Sequence, residues 1–157
     1  MASGLMYVAR LQSVTLTNVP TCLWEISTSN TVGLLLHSIR IDFCPLIAGG
    51  VAQDARAMLA IQTLSSIGSG GSLVTPAPLH PRNAAPSTAF IFGMLTVPGT
   101  VLAVKSADTV PIFCPYERIY TEAQRIPIPA ATHFAISVTA PLGPTIVMSS
   151  ELYFEEM

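Results

Sequence analysis

Leu36-His37-Ser38-Ile39-Arg40-Ile41-Asp42-Phe43 alternates apolar and polar residues with a period of two. Successive side chains of an extended chain point to opposite faces, so Ile39, Ile41 and Phe43 share one face while Ser38, Arg40 and Asp42 share the other. That is the pattern of a half-buried strand. The same alternation recurs near the end, where Leu152 and Phe154 face away from Glu151 and Glu155. Other runs are rich in Val, Ile, Thr and aromatics and bounded by Pro, Gly, Asn or Ser. They span Tyr7 to Leu16, Leu23 to Thr28, Val32 to Phe43, Thr88 to Thr96, Thr100 to Val104, Val110 to Phe113, His133 to Thr139 and Thr145 to Glu155. Only Val51 to Ser65 shows helical spacing, through Ala55, Met58, Leu59 and Gln62. Its alternation over Leu59, Ile61 and Thr63 predicts a loop or short helix to about Ala55, then a strand from Arg56 to Leu64. Many short strands without a βαβ rhythm predict an all-β chain: an antiparallel β-sandwich or jelly roll, with residues 1–157 forming one domain.

Turn chemistry orders these strands. Val97-Pro98-Gly99-Thr100 has proline to preset the first central dihedral and glycine to take the positive one of a type II turn, which predicts that Phe90 to Thr96 folds back on Thr100 to Val104. Ala140-Pro141-Leu142-Gly143-Pro144 reads as a second corner. Between Ser65 and Thr88 lie Gly68, Gly70 and Gly71, followed by Pro76, Pro78, Pro81 and Pro86. Glycines give reach and prolines bias the backbone to an extended form, so residues 65–88 read as a long loop or Gly/Pro-rich arm. Its expected role is contact with other subunits, with Gly68, Gly70, Gly71, Pro76, Pro78 and Pro81 as contact residues. Replacing it with a short turn is then expected to leave the β-core folded.

The chain has seven basic and nine acidic residues, only 10% charged, against 50% hydrophobic. An ordinary domain is about 25% charged, and a monomer of this mass exposes on the order of 7,600 Å². Scarce charge on that area predicts that much of the surface faces protein in a homo-oligomer. Its cations are scattered, which argues against direct nucleic-acid binding. Residues 83–104 and 126–150 lack charge, but Pro86, Gly93, Pro98 and Gly99 interrupt the first and Pro127, Pro129, Pro141, Gly143 and Pro144 the second, so neither reads as a membrane helix. The opening Met1-Ala2-Ser3-Gly4-Leu5 has no secretory pattern, and cytosolic synthesis is expected.

Chemistry finds little purchase. Cys22, Cys44 and Cys114 are odd in number, with no C-x-x-C spacing, and read as small reduced hydrophobes. His37, His80 and His133 lack the paired spacing of metal ligands. Gly68 to Ser72 lacks the Lys-Ser/Thr of a phosphate loop. No nucleophile elbow is present, and no enzyme activity, metal or cofactor is expected. Glu151, Glu155 and Glu156 read as a solvated edge or as partners for arginine. Tyr116-Glu117-Arg118, beside Pro115, reads as a local turn or an interface contact, the contact being favoured, and Tyr7 to Arg10 is a further candidate surface.

The early Glu25-Ile26 strand, Leu36 to Ile41, the Gly68 to Ser72 loop running into Thr75-Pro76-Ala77-Pro78-Leu79, Glu117-Arg118 and the terminal Glu151 to Glu156 together resemble tailed-bacteriophage capsid cement or decoration proteins. The resemblance implies a jelly roll or related sandwich, commonly a homotrimer, on the outer capsid surface of the virion, where it would bind the major capsid protein and clamp neighbouring subunits. A minor tail or baseplate protein would share this composition. A carbohydrate-binding sandwich would need aromatic residues exposed on one concave face.

Overall fold

The computed structural model describes residues 5–16, 20–46, 55–80, 86–141 and 145–157. Among these residues twelve strands run β1 Leu5–Leu16, β2 Thr21–Ser27, β3 Leu34–Leu46, β4 Arg56–Leu64, β5 Ser72–Val74, β6 Ala77–Pro78, β7 Phe90–Leu95, β8 Val101–Pro111, β9 Tyr116–Ile119, β10 Ile126–Ile128, β11 His133–Thr139 and β12 Thr145–Glu156, with one 3-10 turn at Glu122–Gln124. They form two antiparallel sheets. The first is ordered β10-β3-β12-β1-β6, with β9 also on β3; the second is ordered β5-β7-β2-β11-β4-β8.

Period-two patterning builds the sandwich. On β12, Ile146, Met148, Ser150, Leu152 and Phe154 are buried while their neighbours are partly exposed. On β3, Ile39 and Ile41 are buried as the alternation predicts, and Phe43 packs against the same core. The second sheet answers with Trp24, Ile26, Leu59, Ile61, Phe134 and Ile136. One polar link crosses this interior. Trp24 Nε1 donates to Ser150 Oγ at 2.9 Å, and Ser150 Oγ donates to the Arg40 carbonyl at 3.0 Å, so the buried indole N–H is satisfied by the opposite sheet. Tyr7 stacks on Phe154 with ring centroids 5.6 Å apart.

The structure corrects the expected connectivity at three places. Val97 to Thr100 closes no hairpin, because β7 lies between β2 and β5 while β8 pairs with β4 at the far edge. Gly99 is not a positive-φ residue; among the described glycines only Gly70 is, at φ 76°. Gly99 is needed for closeness, since a Cβ there would run into the Ser66 carbonyl oxygen. Thr100 to Val104 and Val110 to Phe113 are not separate strands. Continuous pairing with β4 joins most of this stretch into β8, with register shifts between Ile61 and Gln62 and between Thr63 and Leu64.

The third correction concerns residues 65–80, which hold short strands and lie on the body: β5 pairs with β7, and β6 pairs with β1 through Tyr7 opposite Pro78. Leu79 N–H also donates to the Met6 carbonyl at 2.9 Å. Pro81, residues 51–54 of the expected loop or short helix, and residues 142–144 of the second corner lie outside the described residues. No helix among the described residues is long and apolar enough to cross a membrane.

Candidate interaction surface

Residues paired directly across strands share a face, so register alone assigns the outer faces. On the first sheet Arg40 stands opposite Glu117 on one side and Glu151 on the other, and Glu151 stands opposite Arg10. The result is a row Glu117, Arg40, Glu151, Arg10 of alternating sign across four strands. Arg10 Nε donates to Glu151 Oε1 at 2.7 Å, Tyr153 Oη donates to Glu151 Oε2 at 2.9 Å, and Arg40 Nε lies 3.2 Å from Asp42 Oδ2. Partial burial raises the Glu151 carboxyl, but the Tyr153 and Arg10 hydrogen bonds and the Arg10 and Arg40 charges outweigh it and hold the group below its ordinary range. His37 Nε2 lies 3.0 Å from Glu155 Oε2 further along this sheet.

The second sheet's outer face is different. Met58 stands opposite Thr109 and Thr139, Ala60 opposite Ala107 and Ser137, and Gln62 opposite Val104 and Ala135. None is charged. Met58 is 60% exposed and Val104 57%, and Leu102, the extra residue at a register shift, is 70% exposed. Arg56, opposite Pro111 at the start of β4, is the charge on this row, and the open apolar side chains beyond it make a surface suited to burial against protein.

Across β2 and β7 the same face is covered by the chain itself. Ala135 stands opposite both Gln62 and Glu25, so Glu25 points outward from the sheet, yet it is fully buried. Residues 65–71 and 96–100 cross above it, bridged at Ser69 and Val97. Glu25 Oε1 accepts the Gly68 N–H at 2.7 Å and Oε2 accepts the Gly99 N–H at 3.4 Å. A Cβ on Gly68 would meet the Val97 carbonyl oxygen. Beneath the crossings, Cys22, Leu64, Leu95 and Ala135 form a second apolar cluster. Burial, then the Glu25 charge, pushes the Cys22 thiol up to about 12.

The structure separates the residues singled out in the sequence. Tyr7 is fully buried and belongs to the core of this chain, not its exterior. Arg10 joins the charged row. Gly68 lies over Glu25, Gly70 lies against Thr96 and Gly71 against Leu95 and Gly93, Pro76 is buried, and Pro78 is half-buried beside Tyr7. On β9, Glu117 faces out. Tyr116 Oη donates to Asp108 Oδ2 at 3.2 Å and Arg118 pairs with the same carboxylate, linking β9 of one sheet to β8 of the other. Burial and the Asp108 charge raise the Tyr116 hydroxyl.

Two carboxylates hold segments of the chain in a way the sequence reading did not foresee. Glu25 is one; Glu156 is the other, since its Oε1 accepts from Ser87 Oγ at 2.7 Å and Thr88 N–H at 2.6 Å and so ties residues 87–89 to the end of β12. Their only sequence signal is a glutamate inside an apolar strand in one case and the last acid of β12 in the other. Cys44 and Cys114 are exposed and unpaired as disulfides, and no cluster of three or more His, Cys, Asp or Glu that could hold a metal occurs among the described residues.

No protein-family model matches this chain, and no curated protein does. Among solved structures, a chain from the three-dimensional structure of maize chlorotic mottle virus by single-particle analysis is similar over 98% of this chain and 93% of that one, with 11% sequence identity and a TM-score of 0.31.

Proposed function

We propose that this chain is a structural virion protein, a capsid cement or decoration subunit that works through contact area and needs no catalytic site. It assembles with copies of itself, as a trimer in the simplest arrangement, and lies on the outer capsid surface against the major capsid protein. The observation that carries this reading is the asymmetry of the two outer faces. The first sheet bears a hydrated row of alternating charge. The second bears Met58, Ala60, Gln62, Val104, Ala107 and Thr109, with charge only at Arg56, where β4 begins, and at Lys105, at a register shift of β8.

Strand order supports a jelly roll. The orders β1-β12-β3-β9 and β2-β11-β4-β8 have the chain passing between sheets at every step except β4 to β8, as two interleaved Greek keys require. Residues 65–100 are then an insertion in that one connection, supplying β5, β6 and β7. The jelly roll recurs in viral capsid proteins, and also in lectins and cupins. β8 ends its sheet, but Lys105 at a register shift and Pro111 at its end are guards against strand pairing. The face, not this edge, is therefore assigned to association.

Co-sedimentation with capsids lacking the protein tests the role. The chain is expected to pellet with them and to stay bound in 1 M salt, where the screening length falls to about 3 Å. Failure to bind at any salt concentration would contradict the capsid assignment.

A further inference from the structure

A cleft of about 440 Å³ opens where the edges of the two sheets face one another, between β8 and the β9 to β10 segment. Lys105, Arg118 and Arg125, three of the chain's seven cations, line it, and no acidic residue does among those described. Arg118 is paired with Asp108 and lies over the Tyr120 ring, 5.1 Å from its centroid. Two other lining residues are left incomplete. Tyr120 is 95% buried, being 5% exposed, and its hydroxyl has no hydrogen-bond partner; Arg125 Nε is likewise buried without one.

Such groups are costly. A buried donor without a partner sacrifices its hydration, and native proteins retain few of them. Two orphaned donors on one cleft, one of them on the cation Arg125, with Lys105 as a second cation not committed to an ion pair, form an incomplete coordination shell for an anion. Burial pushes the Tyr120 hydroxyl up to about 12, so it keeps its proton and remains a donor at neutral pH. The remaining lining includes the apolar Ile126 and Pro127, and the volume falls in the range of about 300–1,000 Å³ typical of small-molecule sites. A bare inorganic ion would leave most of it unfilled.

We propose that this cleft binds a small organic carboxylate, with its two oxygens taken by the Tyr120 hydroxyl and Arg125 Nε, Lys105 as counter-charge, and its apolar body against Ile126 and Pro127. The site belongs to a single chain and does not depend on the role proposed above.

Titration of the intact protein with hexanoate, followed by amide chemical shifts, tests this. Saturable shifts are expected around residues 105–106 and 118–127, with none from hexanol or from inorganic phosphate at matched ionic strength. Tyr120→Phe removes only the orphaned hydroxyl, so it is expected to fold at least as stably as the parent yet bind hexanoate about tenfold more weakly, the loss of one hydrogen bond to a charged group. Lys105→Gln, at an exposed position, gives a second reading with a loss of about threefold. Unchanged affinity in both variants, absence of saturation by hexanoate, or equal binding of hexanol would overturn the proposal. Hexyl phosphate binding more tightly than hexanoate would overturn the carboxylate assignment.

Discussion

Glu25 shows most clearly what one side chain does here. Its carboxylate is fully buried, but it replaces lost hydration with the Gly68 and Gly99 N–H groups, so it staples two chain crossings onto the sheet they cover. Glu25→Ala leaves both amides without their acceptor, at a cost of about 2–4 kcal/mol. A fall in Tm on the order of 10 °C is expected for a chain of this length. Glu25→Gln, which retains one acceptor oxygen, should lose less. Calorimetry of the two variants checks this, and an unchanged Tm in Glu25→Ala would mean that the crossings hold themselves. Glu25 was legible as a strand residue and illegible as a staple, because its partners stand 43 and 74 residues away. A glutamate inside the apolar run Leu23-Trp24-Glu25-Ile26 is its one local signal, and that signal names no partner. Tyr7 went wrong for a related reason: the residues that enclose it, Phe154 by stacking and Pro78 by pairing, stand far along the chain.

At the scale of elements, alternation was a sound guide and turn chemistry was not. β3 and β12 follow their period-two patterns, which is why a sandwich could be read from the chain. Pro98-Gly99 fits a type II turn by composition, yet both sides of β7 are occupied and the chain must cross to β8. Strand adjacency is a tertiary property, and a four-residue motif does not encode it. Likewise, the glycines and prolines of residues 65–80 allow reach but equally allow close docking, and hydrogen bonds to Glu25, β7 and β1 select docking. The charged row makes a pH prediction. The folded Glu151 carboxyl lies below its ordinary 4.5, so its contribution is fully present above that value and is lost as pH falls through the folded one. Glu151→Gln is therefore expected to lower Tm by about 2 °C at pH 7, as for a partly exposed pair, with the gap from the parent closing towards pH 2. A gap that is constant with pH would assign the loss to packing.

For the molecule as a whole, scarce charge was visible in composition, whereas its distribution required the fold. Register collects Arg10, Arg40, Glu117 and Glu151 on one outer face and leaves the opposite face at β4 and β8 with an uncharged middle, Arg56 standing at the start of β4 and Lys105 at a register shift of β8. The proposed homo-oligomer, closing over that second face, would hide its apolar side chains and leave the charged row in water. Light scattering coupled to size exclusion, on the parent and on Met58→Glu at micromolar concentration, tests this most directly. The account predicts a parent oligomer, with a trimer expected, and a Met58→Glu monomer whose circular dichroism is unchanged, because Met58 is 60% exposed and its replacement disturbs no core contact. A parent that elutes as a monomer, or a Met58→Glu variant that assembles as the parent does, would contradict it.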